Sequence, residues 1–444
     1  MARQHHHQAQ DTNHFNEFRA VEVSASAPLP AAISALEATD GAASGFLHLS
    51  GSTELEQGRR ISLFDGERCV ASGVVFPAET GLLARLTGLD ARDLAESVGI
   101  TNVYVDPETQ LLPVLTYLLL RRARIWERHT ALAHVDADLL GGARDLARWQ
   151  RLTNLASLRG LPGGSPRVPV AQRVDIAIHE AYQAMNQSQR DFVQQFFVPE
   201  AVETLEIHID RFFQTEFFRA VHESRLSREQ YVYSMSNLHQ FVRYTTRLIG
   251  RAVSLSSDED LRNHWLHHLS GEINHEKIIE KDLEFLGADV DYVVHHMVPN
   301  KHNQQFMVVQ ESAIAFHQDP VLFMAAPFAA EGWTARLDKP FMDGLEKSIR
   351  SWGIETPRHV TGFLASHINY DGGDDGHWEG TRRILERFIT SDQMLQRFLN
   401  LVHLAMEAFE KSYSSYVTEQ RLWSAKPARS ASAFSTQPLH DLRV

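Results

Sequence analysis

The sequence has few of the features that are typical of secreted and membrane-bound proteins, such as paired cysteines and long apolar runs. Cys69 is its only cysteine, so an intramolecular disulfide is excluded and a reducing compartment is favoured. No run of about eighteen apolar residues occurs, and the first residues, MARQHHHQAQDTNHF, lack the apolar core of a signal peptide. We therefore expect a cytoplasmic protein that has no membrane partner.

Positive charge is also in deficit. Lys and Arg together number 43 against 56 Asp and Glu, which gives a formal net charge of −13 with neutral histidines. Affinity for phosphate backbones comes mainly from clustered Lys and Arg, so a nucleic-acid partner is not expected. Histidine, in contrast, is abundant at 24 residues, several of them near carboxylates. That combination directs the search toward metal sites.

The length of 444 residues predicts two globular domains, because one core rarely supports so long a chain. Tail-like composition predicts flexible segments at residues 1–40 and 425–444. Mixed strand and helix patterns predict an α+β domain over residues 41–160. After the Pro- and Gly-containing segment LPGGSPRVPV, long helical patterns predict an all-α domain over residues 171–416.

Local signals predict individual elements in both domains. Asp65-Gly66 suits a hairpin turn between two β-prone runs, and the order TNVYVDP, LLPVLTYLLLRRARIW, TALAHVD predicts a βαβ unit. In the helical half, Ser227 with Gln230 and Ser257 with Asp260 have the spacing of helix N-caps and their partners.

One group of candidate metal ligands consists of His264, His268, Glu272 and His275, spaced by four, four and three residues. On one continuous helix they would share a stripe about 80° wide. Such a stripe can face a bundle interior and supply ligands to a metal. Imidazole with carboxylate favours iron or manganese over a structural zinc. The alternative is a solvated polar face.

A second group follows in SHINYDGGDDGHWEG, which contains His367, Asp371, Asp374 and His377. The alternatives for this stretch are a turn or a calcium-like acidic loop, since Asp and Gly favour turns. Between the two groups, Glu331 is a solitary acid in a mostly apolar stretch, and a buried acid needs a partner. The two groups and Glu331 together favour a metal site.

These residues resemble the ligand pattern of the haem-oxygenase-like diiron oxidases, relatives in fold of the TenA proteins. Glu272 and His275 match an ExxH pair, Glu331 matches a carboxylate on a middle helix, and His367 with Asp371 begins an HxxxDxxH motif. The resemblance implies a haem-oxygenase-like helical bundle that holds two Fe²⁺ ions per chain. It implies catalytic roles for Glu272, His275, Glu331 and His367, and metal ligation by these four together with His268, Asp371, Asp374 and His377.

The sequence departs from the family pattern in two places. Three extra residues separate Asp371 from the expected histidine, and Asp374 restores the DxxH spacing to His377, so either aspartate remains a candidate ligand. His268 stands where some members have an acid. A site rich in nitrogen ligands follows, and a single iron or a manganese ion remains an alternative.

The function that the resemblance implies is an iron-dependent oxidoreductase that activates O₂. Its substrate would be a small molecule such as an amino acid, an amine or a fatty acid, oxidised by N-oxygenation, hydroxylation, desaturation or C–C cleavage in a biosynthetic pathway. O₂ and an external electron donor would be its partners. The hypothesis allows for a homodimer.

The N-terminal half resembles a degenerate GNAT acyltransferase fold. That family grips the pyrophosphate of acyl-CoA on a Gly-rich turn and a helix N-terminus, but the turn reads ETQLLP here, without glycine. A GNAT-type acyltransferase is therefore the alternative enzyme. A non-catalytic helical scaffold is the alternative without chemistry.

Overall fold

A computed structural model of the chain describes residues 18–26, 57–78, 91–106, 109–136, 150–151, 167–371 and 376–419. The chain divides into two compact units, residues 1–204 with 389–395 and residues 205–388 with 396–444. The tail predicted at residues 425–444 lies outside the described residues.

The first unit contains a mixed β-sheet. Its strands are β1 (Phe18–Ser24), β2 (Arg59–Asp65), β3 (Arg68–Pro77), β4 (Ser97–Val105), β5 (Thr130–Asp136), β6 (Gln150–Arg151) and β7 (Arg167–Arg173). They lie in the order β1-β2-β3-β4-β5-β7-β6. Only β4 and β5 pair in parallel among these strands. The helices of this unit are α1 (Ala91–Ala95), α2 (Leu112–Ile125), α3 (Val174–Ala184), α4 (Gln187–Gln194) and the first half of α5 (Phe197–Phe213).

Two predicted elements of this unit are confirmed. Strands β2 and β3 form a hairpin in which Asp65 pairs with Arg68, and Gly66 in its turn has a φ of 56°, a conformation that glycine adopts without steric cost. Strands β4 and β5 pair in parallel around α2, as the predicted βαβ unit requires.

The predicted limits of this unit are corrected at both ends. Strand β1 lies inside the segment 1–40 that was predicted to be a tail, and it pairs along its whole length with β2. The β-prone run FRAVEVS lies within a segment of mostly polar composition, and that composition predicted a tail. At the other end, β7, α3, α4 and the start of α5 belong to the sheet unit, so the all-α unit begins at residue 205 and not at 171.

Buried charge explains the second correction. Arg121 and Arg124 of α2 lie 3.3 and 2.5 Å from the carboxylate of Glu200 on α5. Glu200 is fully buried, and a buried carboxylate is tolerated only when it is paired and hydrogen-bonded. These ion pairs fix the start of α5 to the sheet unit.

The second unit is helical in its described residues. After α5 come α6 (Glu216–His222), α7 (Arg228–Leu255), α8 (Glu259–Glu272), α9 (His275–Phe285), α10 (Val290–His295), α11 (Lys301–Glu311), a π-helical turn (Ser312–Phe316), α12 (Pro320–Phe323), α13 (Ala325–Thr334), α14 (Lys339–Ser351), a 3₁₀ turn (Pro357–His359), α15 (Gly362–Asp371), α16 (His377–Phe388) and α17 (Asp392–Thr418), whose first four residues belong to the first unit. Among the described helices, none has the length and apolar character that crossing a bilayer would require.

Helix α7 is long and packs against α8, α9 and α11. The predicted capping box at its start is confirmed, because the Ser227 and Gln230 side chains each pair with the other's backbone N–H. The predicted cap at Ser257 is wrong by one residue. Asp258 caps α8 instead, with its carboxylate accepting from the backbone of Asp260 and Leu261. Asp is as good an N-cap as Ser, so adjacent candidates are hard to separate from sequence.

Asp282 connects α9 to the start of α15. Its buried carboxylate accepts hydrogen bonds from the backbone N–H groups of Gly362, at 3.2 Å, and Phe363, at 2.9 Å. Burial raises the pKa of Asp282 from 3.8 to about 6, although both hydrogen bonds oppose the rise. The side chain thus satisfies two donors that a helix N-terminus leaves without partners.

Replacing Asp282 with alanine should destabilise the fold. Two buried N–H groups lose their acceptor in Asp282→Ala, and we expect the free energy of unfolding to fall by about 1–3 kcal/mol. Chemical denaturation followed by circular dichroism measures this change. Asp282→Asn should cost less, since it keeps one carbonyl acceptor.

The difference in the free energy of unfolding between wild type and Asp282→Asn should also depend on pH. The pKa of Asp282 is higher in the folded chain than the ordinary value of 3.8, so the folded chain binds the proton more tightly than the unfolded chain. This contribution to stability is present below pH 3.8 and is lost as the pH rises through about 6. The unfolding free energy of wild type minus that of Asp282→Asn should therefore decrease across this window. A constant difference would contradict the raised pKa.

Candidate metal centre

Helix α8 supplies two buried candidate ligands. His268 and Glu272 are four residues apart and lie on one face of the helix. The helix ends at Glu272, where Asn274 adopts a left-handed conformation with a φ of 68° and α9 begins at His275. The expected single helix carrying His264, His268, Glu272 and His275 is therefore corrected. Asn is among the residues that enter this conformation most readily, which explains the break.

Four side chains form the first donor group, namely His268, Glu272, Glu331 and His377, and their ligand atoms all lie within 4.8 Å of one another. His268 Nε2 is 2.9 Å from a Glu331 oxygen and 3.7 Å from a Glu272 oxygen. The rings of His268 and His377 stack with centroids 5.1 Å apart. Helices α8, α13 and α16 thus converge on one point.

Three side chains form the second donor group, namely Glu272, His275 and His367, which satisfy the same 4.8 Å limit. The second carboxylate oxygen of Glu272 lies 3.0 Å from His275 Nδ1. The rings of His275 and His367 lie 4.8 Å apart at an angle of 66°. Helix α15 therefore meets the break between α8 and α9.

Glu272 belongs to both groups. One of its oxygens faces His268 and the other faces His275. A carboxylate used in this way can bridge two cations, and bundle interiors use such carboxylates in dinuclear sites. The arrangement therefore has the donors of a two-metal centre.

The charges of the first group are strongly coupled. Burial alone would lower the pKa of His268, but the carboxylates of Glu331 and Glu272 outweigh it and raise that pKa to about 10. Burial would raise the pKa of Glu272, but the neighbouring imidazoles of His268 and His275 hold it well below its ordinary range. A proton on His268 therefore supplies positive charge where a cation would otherwise lie.

The other histidines respond mainly to burial. It lowers the pKa of His367 and of His377, so both favour the neutral form that binds metals. Nδ1 of His367 lies 3.1 Å from the carbonyl oxygen of Phe363. An Nδ1–H that donates to this carbonyl leaves Nε2 as the ligand atom, and such a partner fixes the tautomer and the ring orientation of a metal-binding histidine.

Two glycines permit the approach of α16. A Cβ added at Gly271 would lie 2.7 Å from Cε1 of His377, and one added at Gly332 would lie 2.9 Å from Nε1 of Trp378. Both separations are too short for a real side chain. Gly271 and Gly332 each stand next to a candidate ligand, Glu272 and Glu331, so each of these helix turns provides both a ligand and the clearance for His377 or for its neighbour Trp378.

The structure brings together six of the eight side chains predicted as metal ligands: His268, Glu272, His275, Glu331, His367 and His377. Asp371 ends α15 but its side chain is not described, and Asp374 lies outside the described residues. His264 of the predicted stripe is in neither group, and burial lowers its pKa to about 3.

Sequence reasoning missed the roles of Gly271, Gly332 and the Phe363 carbonyl. A glycine inside a helical pattern was the available signal for the first.

A metal ion fits the donors present. Glu331 is buried, and its Oε2 has no hydrogen-bond partner within the described ranges, which is costly for a carboxylate unless a cation lies nearby. Atoms on opposite sides of one ion with bonds of about 2.1 Å are about 4.2 Å apart. The ligand atoms of each group already lie within 4.8 Å of one another, which is close to this span. Mixed imidazole and carboxylate donors suit iron or manganese.

No protein-family model matches this sequence, and no curated protein matches it either. Solved structures give weak likenesses. A domain of unknown function with a heme oxygenase-like fold from Shewanella denitrificans covers 50% of this chain and 93% of its own, at 14% identity and a TM-score of 0.44. A TenA homolog from Pseudomonas syringae covers 50% and 93%, at 13% identity and a TM-score of 0.43.

A CADD-like protein of unknown function from Nostoc punctiforme covers 53% of this chain and 100% of its own, at 14% identity and a TM-score of 0.39. The fold named for the Shewanella domain is the one that the sequence resemblance implied for residues 171–416. TM-scores this low do not assign a fold family to this chain, and the assignment stays a prediction.

Gly271→Ala should weaken metal binding. The new Cβ displaces the His377 ring, and we expect affinity for divalent metal to fall by roughly tenfold or more, as it does when ligand positioning is lost. Isothermal titration calorimetry with Fe(II) under anaerobic conditions measures this change.

Gly380→Ala is the matched control. Gly380 also lies inside a helix, α16, but a Cβ there meets no atom of the described chain within 4 Å. This variant should bind metal normally and gain up to about 0.5–1 kcal/mol of stability from the better helix former. Equal affinities for Gly271→Ala and Gly380→Ala would show that His377 is not a ligand.

Proposed function

We propose that the helical unit is a non-haem diiron oxidase or oxygenase that uses O₂ to oxidise a small molecule. The observation that supports this most directly is the position of Glu272, a buried carboxylate with one oxygen toward His268 and the other toward His275. Two donor groups that share a carboxylate are what a pair of ions requires. A solvated polar face would instead leave these side chains exposed, whereas His268, Glu272, His275 and Glu331 are buried.

The proposal assigns a role to each ligand. His268, Glu331 and His377 would hold one ion, His275 and His367 the other, and Glu272 would contact both. Asp371 or Asp374 would add a further carboxylate. Two ferrous ions held in this way would supply electrons and open coordination positions for the reduction of dioxygen.

The chain's own residues would protect this chemistry from water. Trp265 is fully buried, and its ring lies 5.7 Å from that of His268 and 5.0 Å from that of Phe323. On the other side, the Phe363 ring packs 4.1 Å from that of His367. Apolar walls strengthen the electrostatic interactions inside a site and limit side reactions with water.

The rest of the functional proposal comes from the family resemblance. The substrate would be an amino acid, an amine or a fatty acid, and the outcome N-oxygenation, hydroxylation, desaturation or C–C cleavage in a biosynthetic pathway. An external electron donor and a homodimer also remain proposals. A single iron or a manganese ion is the alternative for the metal.

One observation favours the alternative of a GNAT-type acyltransferase, namely the parallel β4–α2–β5 unit. The start of α2 argues against it. Pro113 is the second residue of this helix, and its N-cap, Leu111, makes no side-chain capping bond. Proline has no N–H to offer a pyrophosphate, so this helix N-terminus is a poor anion site. The absence of acyl-CoA binding by the full chain in calorimetry would remove this alternative.

Iron stoichiometry tests the shared carboxylate. Anaerobic Fe(II) titration of wild type should reach about two ions per chain. His377→Ala and His367→Ala should each reduce this to about one, because each removes a ligand from one group only. Glu272→Gln should lower binding at both positions, since it changes the one residue that both groups use.

His264→Ala is the control for this series. His264 lies on the same helix as His268 but belongs to neither donor group, so this variant should bind as much iron as wild type. If Glu272→Gln lost only one ion, the two groups would not share this carboxylate. If wild type bound no stoichiometric Fe(II), Mn(II) or Zn(II), the proposed function would be wrong.

Reaction with O₂ tests the oxidase itself. Exposure of the Fe(II)-loaded protein to O₂ should produce a transient visible absorbance and consume O₂, measured by stopped-flow spectroscopy and an oxygen electrode. His275→Ala and His367→Ala should slow both signals by about tenfold to a hundredfold. A stable Fe(II) protein that leaves O₂ untouched would restrict the site to a structural role.

A further inference from the structure

Asp282 lies on the face of α9 that also carries His275. The two residues are seven positions apart, and seven residues return a helix to within about 20° of the same direction. Both side chains are buried. The His275 ring lies beside that of His367 on α15, and the Asp282 carboxylate accepts from the first residues of the same helix. Helix α9 thus directs a candidate ligand and a carboxylate toward one neighbour, α15.

The carboxylate of Asp282 fixes the backbone at the start of α15. One of its oxygens accepts from the N–H of Gly362 and the other from the N–H of Phe363. Two hydrogen bonds to successive N–H groups define the orientation of this backbone as well as its distance. The approach is close, because a Cβ added at Gly362 would lie 3.0 Å from Oδ1 of Asp282. Glycine at this position therefore makes room for the carboxylate.

Phe363 contacts both histidines of the second donor group. Its carbonyl oxygen lies 3.1 Å from Nδ1 of His367, and its ring centroid lies 4.1 Å from that of His367. The ring of Phe363 also meets that of His275 edge to face, with centroids 6.5 Å apart and an angle of 88°. The residue whose N–H binds Asp282 is therefore the residue against which both imidazoles are oriented.

We propose that Asp282 is a positioning residue for the ion of the second donor group. It fixes Phe363, and through Phe363 it sets the orientation of His275 and His367, without itself contacting a metal. The inference rests on the proposed function, because it requires that the second donor group binds an ion. A partner that orients a metal-binding histidine typically changes metal affinity by about tenfold to a hundredfold when it is lost.

The origin of the carboxylate separates this role from ordinary helix capping. A side-chain cap usually comes from the residue that precedes its own helix and stabilises that helix alone. Asp282 comes from another helix, 80 residues before Gly362, and each of the two helices that it joins carries one histidine of the second donor group. The hydrogen bonds of Asp282 go to α15, whereas the first donor group is carried by α8, α13 and α16. Its loss should therefore affect one ion and not the other.

Parallel titrations of the two ions test this selectivity. His377→Ala leaves the second donor group intact, and His367→Ala leaves the first, so each variant reports one ion. Adding Asp282→Ala to His377→Ala should lower the affinity for Fe(II) by about tenfold or more. Adding it to His367→Ala should leave the affinity unchanged. Anaerobic isothermal titration calorimetry of the full chain measures both affinities without any need for turnover.

Asn300→Ala is the matched control for lost stability. Asn300 is also buried, and its side-chain oxygen also accepts from two backbone N–H groups at a helix start, those of His302 and Asn303 on α11. Helix α11 carries no candidate ligand. Asn300→Ala should therefore destabilise the fold by a comparable amount while both affinities for Fe(II) stay as they are in the parent variants.

Two milder variants keep the test available if Asp282→Ala prevents folding. Asp282→Asn retains one carbonyl acceptor and should weaken the second ion by a smaller factor. Gly362→Ala crowds Oδ1 of Asp282 from the other side, and it should weaken the same ion while the first ion binds normally.

The outcomes separate this inference from the proposed function. If Asp282→Ala or its milder replacements lowered both affinities by the same factor, the effect would be a general loosening and the positioning role would be overturned. Unchanged affinity for the second ion would overturn it as well, and in both cases the two-metal centre would stand. Wild type that binds no stoichiometric metal would instead overturn the proposed function, and the positioning role with it.

Discussion

The burial of one carboxylate, Glu272, governs the arrangement of the helical unit. An ionised carboxylate removed from water is costly unless positive charge and hydrogen bonds compensate it. His268 on one side and His275 on the other provide this compensation. Losing one partner of such a buried pair typically costs about 3–5 kcal/mol. His268 lies on the same helix as Glu272, whereas His275 begins α9, so the start of α9 is held at Glu272 by electrostatics as well as by apolar packing.

The break between α8 and α9 follows from the same constraint. A straight helix would keep Glu272 and His275 on one stripe, and both would then face the same neighbour. Asn274 interrupts the helix directly after the carboxylate, so His275 starts a new helix that meets α15 at His367. One carboxylate can then be contacted from two directions. The clearance at Gly271 lets His377 approach from a third helix.

Residue type and spacing predicted which side chains come together better than they predicted how the helices carry them. Residue type and spacing were sufficient to select His268, Glu272, Glu331 and His367, because buried acids and periodic histidines are visible in a sequence. The same periodicity also selected His264, which the structure leaves outside both groups. Periodicity assumes that a helix continues, and it cannot detect where a single residue ends one. The roles of Gly271 and of the Phe363 carbonyl depend on contacts between distant segments, which spacing along the chain does not contain.

Local signals also predicted parts of the fold. The prediction failed where the fold depends on contacts between distant segments. The hairpin at Gly66 and the β4–α2–β5 unit depend on local signals and on neighbouring segments, and both are present. The boundary at residue 171 failed because it was read from a Pro- and Gly-rich stretch, whereas the chain joins the sheet unit through the pairing of Arg124 with Glu200. A boundary set by buried ion pairs has no signature in composition, since each partner alone resembles a surface charge.

The compensation around Glu272 also connects metal binding to the stability of the helical unit. Without an ion, a proton on His268 neutralises part of the negative charge of Glu272 and Glu331, and these two carboxylates raise the pKa of His268. An ion would have to displace this proton, but it would also give Oε2 of Glu331 a partner, which that atom lacks among the described residues. A ligand that binds only the folded chain stabilises it in proportion to its affinity. The helices that meet at the donor groups are α8, α9, α13, α15 and α16, and binding would hold them together as one structure in which each ligand is positioned by its neighbours.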